Sequence, residues 1–347
     1  MTFATSWTQF FPPRDGAPLT EANLPNQSGE VFIVTGGSSG IGYELSRILY
    51  GAGGKVYMLT RSKEHAEDAI NRIQASYADK GDKNTKRGSL EFIFMDLVDF
   101  TTVKTAAQQF LDREGPDGRL DILFNNAGTG SLKNAPPTTQ GHEYHFATNS
   151  LGHHLLTRLL TPMLSQTAKR SPSDTVRVVW AASVLVELMS PQDGVRKEYL
   201  QDPFSITNSD ELYASSKAAN WFLASEFARR QTKAGGVFGS GVVHLAGNPG
   251  NYSTGIWRTV PAWLTFVMGP LLRDPVHGAE TYMWMAFSDE VTMPDAVAGR
   301  YAMCDGRWHP GQRADLVSAL KPEEEGGSGR AKEYFEWCEK AVKELVE

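Results

Sequence analysis

The chain has 347 residues, of which 41% are apolar and 21% are charged, as in an ordinary globular protein. Its net charge of −6 offers no basic surface for nucleic acid, and no apolar run reaches the roughly 18 residues of a membrane span. Two cysteines make no disulfide framework, and the first residues do not resemble a secretory signal. We therefore expect a cytoplasmic protein.

The first predicted elements form a strand–helix–strand unit. Residues 1–29 are rich in Pro, Asn and Gly and are predicted to form an irregular arm. The apolar run Val31 to Val34 predicts a buried strand, and the helical spacing of apolar residues from Ile41 to Leu49 predicts a helix after a Gly/Ser turn. A second strand is predicted at Lys55 to Leu59.

The alternation of strand and helix continues along the chain. Strands are predicted in "LEFIFMDL", "LDILFNNAG", "VRVVWAAS" and "GVVHLAG" and at Arg300 to Cys304, with helices at Glu143 to Leu160 and Tyr213 to Arg230. This alternation indicates an α/β fold, a Rossmann-type doubly wound parallel sheet with helices on both faces. We expect one domain over residues 30–320, and a linker and docked C-terminal helix over residues 321–347.

The turn "TGGSSGIG", Thr35 to Gly42, lies between the first strand and its helix. Such a turn leaves the first N–H groups of the helix free to meet a phosphate. Gly36 can adopt backbone angles barred to other residues, Gly40 lets a pyrophosphate come close, and Gly42 lets helix and strand pack. In this position the turn favours a nucleotide ligand.

Six motifs together resemble the short-chain dehydrogenase/reductase family over about residues 30 to 305. In chain order they are "TGGSSGIG", "NNAG" at Asn125 to Gly128, "NSLG" at Asn149 to Gly152, a strand ending in Ser183, Tyr213-x-x-x-Lys217, and "NPG" at Asn248 to Gly250. The glycine spacing is similar to the shorter TGxxxGxG branch, especially retinol dehydrogenase and protochlorophyllide reductase-like members and their fungal relatives.

The resemblance implies a nicotinamide cofactor across the carboxyl ends of the strands. After the second strand the chain carries Arg61 and no acid until Glu64, which favours NADP(H), because a guanidinium can grip a 2′-phosphate. The residues that would contact the cofactor are Gly36, Ser38, Ser39, Gly40, Ile41, Gly42, Arg61, Asp96, Leu97, Asn126, Ala127, Gly128, Tyr213, Lys217, Pro249, Gly250 and Thr254.

Individual roles follow from the same resemblance. Asp96 would meet the adenine amino group, with Leu97 packed beside the ring. Asn125 is expected to bond the backbone of the sheet, while Asn126 lies nearer the adenine ribose. Thr254 would bond the carboxamide of the nicotinamide.

The resemblance also implies the catalytic residues Asn149, Ser183, Tyr213 and Lys217. A phenol has a pKa of about 10, too high for efficient proton transfer near neutral pH, and a nearby ammonium should lower it. Tyr213 is therefore the expected acid, with Lys217 as its tuning charge and a ligand of the ribose. Ser183 would hold the substrate oxygen, and Asn149 would kink its helix and bind a water.

Ser183 and Tyr213 are 30 positions apart, farther than in many short members of the family. The residues between them, 184–212, and residues 251–275 are expected to cover the site as lids. The candidate wall residues are Leu185, Met189, Phe204, Ile256 and Trp257. They predict an apolar carbonyl or alcohol substrate. The apolar loop 260–272 could instead contact a membrane surface peripherally or a second subunit of a homodimer, although we prefer a lid.

The leading hypothesis is an NADP(H)-dependent carbonyl reductase or alcohol dehydrogenase, acting as monomer or homodimer. A reductase of an activated C=C bond would use the same residues, and a noncatalytic NADP(H)-sensing regulator is the alternative outside enzymology. Four histidines in "GHEYHFATNSLGHH" do not form a familiar ligand set, so no metal is expected.

Overall fold

The computed structural model describes residues 9, 13, 15–78, 87–231, 238–252 and 272–347. Its strands form one sheet in the order β3-β2-β1-β4-β5-β6-β7-β8. They are β1 Val31–Thr35, β2 Lys55–Thr60, β3 Ser89–Phe94, β4 Ile122–Asn125, β5 Arg177–Ala181, β6 Val243–Gly247, β7 Tyr301–Met303 and β8 Arg307–Trp308. All neighbouring strands pair in parallel except β7 and β8, which are antiparallel.

Helices connect the strands. Those in the described residues are α1 Gly40–Gly51, α2 Lys63–Ala78, α3 Phe100–Glu114, α4 Tyr144–Phe146, α5 Gly152–Ala168, α6 Leu185–Leu188, α7 Lys197–Gln201, α8 Ser209–Gln231, α9 Val276–Phe287, α10 Met293–Val297, α11 Ala314–Leu320 and α12 Arg330–Val346. A π-helical turn, Ala147–Leu151, joins α4 to α5, and a 3₁₀ turn, Glu323–Glu325, precedes α12.

The sheet separates two hydrophobic layers, because successive side chains of a strand point to opposite faces. In β1, Phe32 and Val34 belong to one apolar cluster and Val31 and Ile33 to the other. The first layer is completed by α1 and α9, and the second by α3, α5 and α8. This arrangement is the predicted doubly wound Rossmann-type sheet.

The parallel register brings the carboxyl ends of the central strands to one edge. Thr35 pairs with Leu59, Asn125 with Trp180, and Ala181 with Gly247. The chain turns back across the sheet between β1 and β4, which is where doubly wound folds bind ligands. A ligand site is therefore expected among the residues that follow these strands.

The strand predicted at Arg300 to Cys304 is shorter, because β7 ends at Met303 and the chain then reverses into the unpredicted β8. The reversal uses Asp305 and Gly306, which both have positive φ. The strand before the candidate serine also ends early, at Ala181, so Ser183 lies in the turn beyond it.

The C-terminal helix α12 packs on the body, as expected. Its buried residues, among them Tyr334, Phe335 and Cys338, join the same apolar layer as α8. Glu339 of α12 also contacts His154 at 2.7 Å and Arg158 at 2.8 Å on α5. Within the described ranges, no helix combines the length and apolar character needed to cross a bilayer.

Candidate active site

The glycine-rich turn after β1 has the geometry of a phosphate cradle. Gly36 and Gly40 have φ values of 69° and 54°, which L side chains rarely adopt. A Cβ added at Gly42 would lie 2.4 Å from the carbonyl oxygen of Gly36, so a side chain there would collide with the turn. Ser39 is the N-cap of α1 but makes no side-chain cap, which leaves the first amides of the helix available to an anion.

The "NNAG" turn is bonded to the end of β1. The backbone amides of Asn126 and Ala127 each donate to Thr35 Oγ1 at 2.9 Å, and Asn126 Nδ2 donates to the Thr35 carbonyl at 2.8 Å. The expected role of Asn125 was wrong, because its Nδ2 donates to Thr157 Oγ1 on α5. Asn125 is the last residue of β4 and faces the helix layer, so it is Asn126 that bonds the sheet backbone.

The candidate residues for the adenosine end follow β2 and β3. Arg61 is exposed directly after β2, and Ser38 Oγ lies 3.2 Å from Thr60 Oγ1. Asp96 accepts from the amide of Val98 at 3.1 Å through one carboxylate oxygen. Leu97 is only 6% exposed and belongs to the second apolar layer. The exposed guanidinium and partly buried carboxylate are thus on the same edge as the glycine turn.

Asn149 lies in the π-helical turn and ties three elements together. Its Oδ1 accepts from the amide of Thr129 at 2.8 Å, just beyond "NNAG", and its Nδ2 donates to Ser216 Oγ on α8 at 2.9 Å. A Cβ added at Gly128 would lie 2.7 Å from Asn149 Oδ1 and 3.1 Å from Lys217 Nζ. The expected irregularity of the helix at Asn149 is therefore present, and Gly128 is required by close approach.

Ser183, Tyr213 and Lys217 meet at the end of β5. The hydroxyl of Ser183 lies near enough to the phenol of Tyr213 to lower its pKa, and Tyr213 is 8% exposed. Lys217 is 4% exposed, and its Nζ donates to the Ala181 carbonyl at 3.3 Å. Because α8 carries Tyr213 and Lys217 one turn apart, both face the end of β5 that precedes Ser183. The four residues expected to be catalytic are thus brought together.

The pKa values of this group are set mainly by burial. Burial raises the pKa of Tyr213, opposite to the expected direction, and the nearby hydroxyl of Ser183 offsets part of that rise. Burial also lowers the pKa of Lys217 to about 8. Tyr213 is therefore a protonated donor at neutral pH, and the charge of Lys217 is sensitive to mildly alkaline pH.

The "NPG" turn follows β6 at the same edge. Asn248 Oδ1 accepts from the amide of Gly250 at 3.0 Å, and Gly250 has a φ of 114°. Pro249 is buried, and its carbonyl accepts from Thr281 Oγ1 of α9 at 3.3 Å. The candidates Thr254, Ile256 and Trp257 and nearly all of the apolar loop 260–272 lie outside the described residues.

The inserted segment 184–212 begins directly beyond Ser183 and places apolar side chains at the surface. Met189 and Phe204 are 42% and 49% exposed, and Leu188, which the sequence reasoning missed, is 49% exposed. Leu185 is half-buried, and its amide donates to Ser183 Oγ at 3.2 Å. Leu185 thus contacts the catalytic group through its backbone amide.

His153 was not predicted as part of the site. Its Nδ1 lies 3.1 Å from the carbonyl of Asn149 and its Nε2 3.1 Å from Thr35 Oγ1. Burial lowers the pKa of His153 to about 4, so the ring is neutral, with Nδ1 donating to the carbonyl and Nε2 facing the hydroxyl. The spacing of four residues after Asn149 was the available sequence signal.

The histidines of "GHEYHFATNSLGHH" are used structurally. His145 contacts Glu143 at 2.7 Å and accepts from the amide of Leu132, while His142 stacks on Phe100. In the part of the chain that the structure describes, no group of three or more His, Cys, Asp or Glu residues could hold a metal ion.

Comparison with known proteins assigns the class. The family model for short chain dehydrogenases matches residues 30–185. A short-chain dehydrogenase/reductase of Phomopsis amygdali is 39% identical, with 98% of this chain and 97% of that relative covered. The short-chain dehydrogenase/reductase iacJ of Pestalotiopsis fici is 37% identical, with 99% and 98% covered.

The chain belongs to the short-chain dehydrogenase/reductase family and is an oxidoreductase. Its fold is similar to that of a solved Pseudomonas aeruginosa RhlG/NADP active-site complex, with a TM-score of 0.58 and 24% identity. That comparison covers 81% of this chain and 97% of RhlG.

Proposed function

We propose that the protein is an NADP(H)-dependent oxidoreductase that interconverts a carbonyl group and an alcohol on an apolar small molecule. The observation that carries this proposal is the meeting of Asn149, Ser183, Tyr213 and Lys217 at the carboxyl end of β5, beside the glycine-rich turn. The RhlG structure that shares this fold was solved with NADP, which supports the cofactor class.

The nicotinamide of NADPH would supply the hydride. Gly36 and Gly40 would admit the pyrophosphate, and Arg61 would bind a 2′-phosphate. This fit rests on the glycine geometry, because Gly36 and Gly40 have positive φ and a side chain at position 42 would collide with the carbonyl oxygen of Gly36. Arg61 is exposed directly after the end of β2, so it is accessible to a ligand.

In the proposed reduction, Ser183 Oγ and the phenol of Tyr213 hold the carbonyl oxygen. Tyr213 gives its proton to that oxygen as negative charge develops there. The ammonium of Lys217 stabilises the phenolate that is left, and Asn149 fixes α8 against the "NNAG" turn through Ser216 and Thr129. The exposed apolar side chains of segment 184–212 favour a substrate with an apolar body.

The direct test is NADPH oxidation measured with a panel of apolar aldehydes and ketones, followed by product analysis. We expect consumption of NADPH with formation of the alcohol. A saturated aldehyde or ketone formed from an α,β-unsaturated member of the panel, with no alcohol, would assign the protein to C=C reduction. Tight NADPH binding without turnover of any compound would instead favour a sensor.

The choice of cofactor should depend on Arg61. We expect Arg61→Ala to raise the Kd of NADPH by about 10- to 100-fold, because a charge-assisted contact to the 2′-phosphate is lost, and to leave the Kd of NADH unchanged. Fluorescence titration with both cofactors measures this. The control is Arg72→Ala, which removes an exposed arginine of α2 paired with Asp68 at 2.9 Å. An equal loss for both cofactors would contradict the role of Arg61.

The rate of carbonyl reduction should fall in alkaline solution. Reduction requires Tyr213 protonated and Lys217 charged, and burial lowers the pKa of Lys217 to about 8 while raising that of Tyr213. We therefore expect kcat/KM to be level below neutral pH and to decline as pH rises through about 8. Initial rates in buffers of constant ionic strength measure the profile, and a rate that increases through this range would contradict the assigned roles.

A further inference from the structure

A buried carboxylate outside the catalytic group lies four residues after Ser183. Glu187 belongs to α6 in an otherwise apolar run and is 3% exposed. Its Oε1 accepts from Gln9 Nε2 at 2.8 Å and from Gln312 Nε2 at 2.9 Å. His309 Nε2 lies 2.7 Å from the same oxygen without a hydrogen bond, and Glu187 Oε2 has no hydrogen-bond partner among the described residues. Because a buried carboxylate is strongly destabilising without hydrogen-bond donors, the two amide donors to Oε1 restrict where α6 can lie.

The backbone around Glu187 is held by the same C-terminal region. Arg313 Nη1 donates to the carbonyls of Glu187 at 3.2 Å and Ser190 at 2.9 Å. Tyr301 donates its hydroxyl to the carbonyl of Ser183 at 3.1 Å, and burial raises its pKa well above the usual value, so it remains a donor. Tyr301 and Arg313 therefore hold the backbone of the turn that contains Ser183 and of the helix that follows it.

Gln9 connects this turn to the turn after β6. While its Nε2 donates to Glu187, its Oε1 accepts from Asn248 Nδ2 at 2.8 Å. Asn248 in turn accepts from the amide of Gly250 at 3.0 Å. Gln9 and Asn248 are 4% and 2% exposed, so water does not compete for these bonds. A continuous chain of hydrogen bonds thus runs from α6 to the "NPG" turn.

We propose that Glu187 is a positioning residue, which through its hydrogen bonds with Gln9 and Gln312 fixes Ser183 relative to Asn248 and the "NPG" turn. This inference rests on the proposed function, because it gives the distance between Ser183 and the cofactor turn a catalytic meaning. Glu187 lies two residues beyond the stretch matched by the family model, and Gln9, His309 and Gln312 also lie outside it. The hydrogen bonds of Glu187 are thus made between residues outside the matched stretch.

The principal variant is Glu187→Gln, which keeps the shape of the side chain but replaces one oxygen by a donor and removes the charge. We expect kcat for carbonyl reduction to fall by about 10- to 100-fold, as for small misplacements of reacting groups. The Kd of NADPH, measured by fluorescence titration, should change little, because the glycine turn is untouched. The matched control is Glu198→Gln, an exposed residue of the same inserted segment, which should retain wild-type kcat.

A second variant allows the proposal to be tested even if Glu187→Gln does not fold. Gln9→Ala breaks the link between Glu187 and Asn248 without altering α6, so it should also lower kcat, by several-fold. Hydrogen–deuterium exchange gives a readout independent of activity: the amides of residues 184–195 should exchange faster in Glu187→Gln than in the wild type. Combining the two substitutions should cost less than the sum of the single effects, because both break the same chain of bonds.

Wild-type kcat in both folded variants would overturn the positioning role, even if their thermal stability fell. If the wild-type protein reduces no carbonyl compound at all, the proposed function fails. The exchange experiment still tests whether Glu187 holds the segment 184–195 in place. In that case unchanged exchange of residues 184–195 in Glu187→Gln overturns it, and faster exchange supports it.

Discussion

Replacing Tyr213 by phenylalanine is expected to lower the kcat of carbonyl reduction by about 10²- to 10⁴-fold, the usual contribution of a positioned general acid. The substitution removes one oxygen atom, which is the proton donor next to Ser183. Burial keeps the phenol protonated, so the wild-type residue can donate at neutral pH, whereas phenylalanine cannot. Turnover of NADPH with an active ketone, compared in both proteins at saturating concentrations, measures the effect.

The binding of NADPH should survive this substitution, and titration of the variant checks that its site is intact. The matched control is Tyr199→Phe, since Tyr199 is also buried and its hydroxyl has no hydrogen-bond partner among the described residues. This control should retain full turnover. Equal turnover in Tyr213→Phe and the wild type would show that another group supplies the proton, and the assignment of the acid would be wrong.

The parts of the fold that could be predicted are those determined by residues that are close together in the sequence. An apolar run such as Val31 to Val34 predicts a buried strand whichever strands it pairs with. Gly36 predicts a tight turn, because few other residues tolerate its φ of 69°. The six motifs were sufficient to predict that Asn149, Ser183, Tyr213 and Lys217 would be neighbours. Each of these residues belongs to a motif that lies near the end of a strand or in a helix.

The direction of a side chain at a strand end was less predictable. Asn125 and Asn126 are identical residues at successive positions, and only the place where β4 ends decides which one bonds Thr35. A one-residue difference moves a side chain to the other face of the sheet. Similarly, α9 was missed because it is buried on nearly every side, with Met283, Trp284 and Met285 all enclosed, so no helical periodicity of apolar residues is visible.

The contacts of Glu187 could not be predicted, because they are made across the fold. Gln9 is 178 positions away and Gln312 is 125 positions away. A single charged residue in the run "VLVELM" was a signal that something must neutralise or bond it, but the sequence does not say what. The pKa of Tyr213 was predicted in the wrong direction for a related reason, since its burial depends on tertiary packing and outweighs the opposite effect of Ser183.

Replacing Lys217 by methionine should separate activity from stability. The ammonium that stabilises the phenolate is lost, so we expect kcat to fall by at least about 10²-fold. Yet burial lowers the pKa of Lys217 from 10.5 to about 8, which means that the charged lysine destabilises the folded protein. This difference corresponds to about 3 kcal/mol at neutral pH, so the inactive variant should be as stable as the wild type or more stable.

The pH dependence of unfolding tests the physical reason. Because the pKa of Lys217 is lower in the folded than in the unfolded chain, the wild-type protein should gain stability as pH rises from about 8 towards 10.5. Lys217→Met lacks this gain, so the difference between the two free energies of unfolding should shrink over that interval. Denaturant titrations at several pH values measure it, with Lys104→Met, an exposed lysine of α3, as the control. A variant that is inactive and also much less stable at neutral pH would mean that Lys217 is retained for packing rather than for its charge.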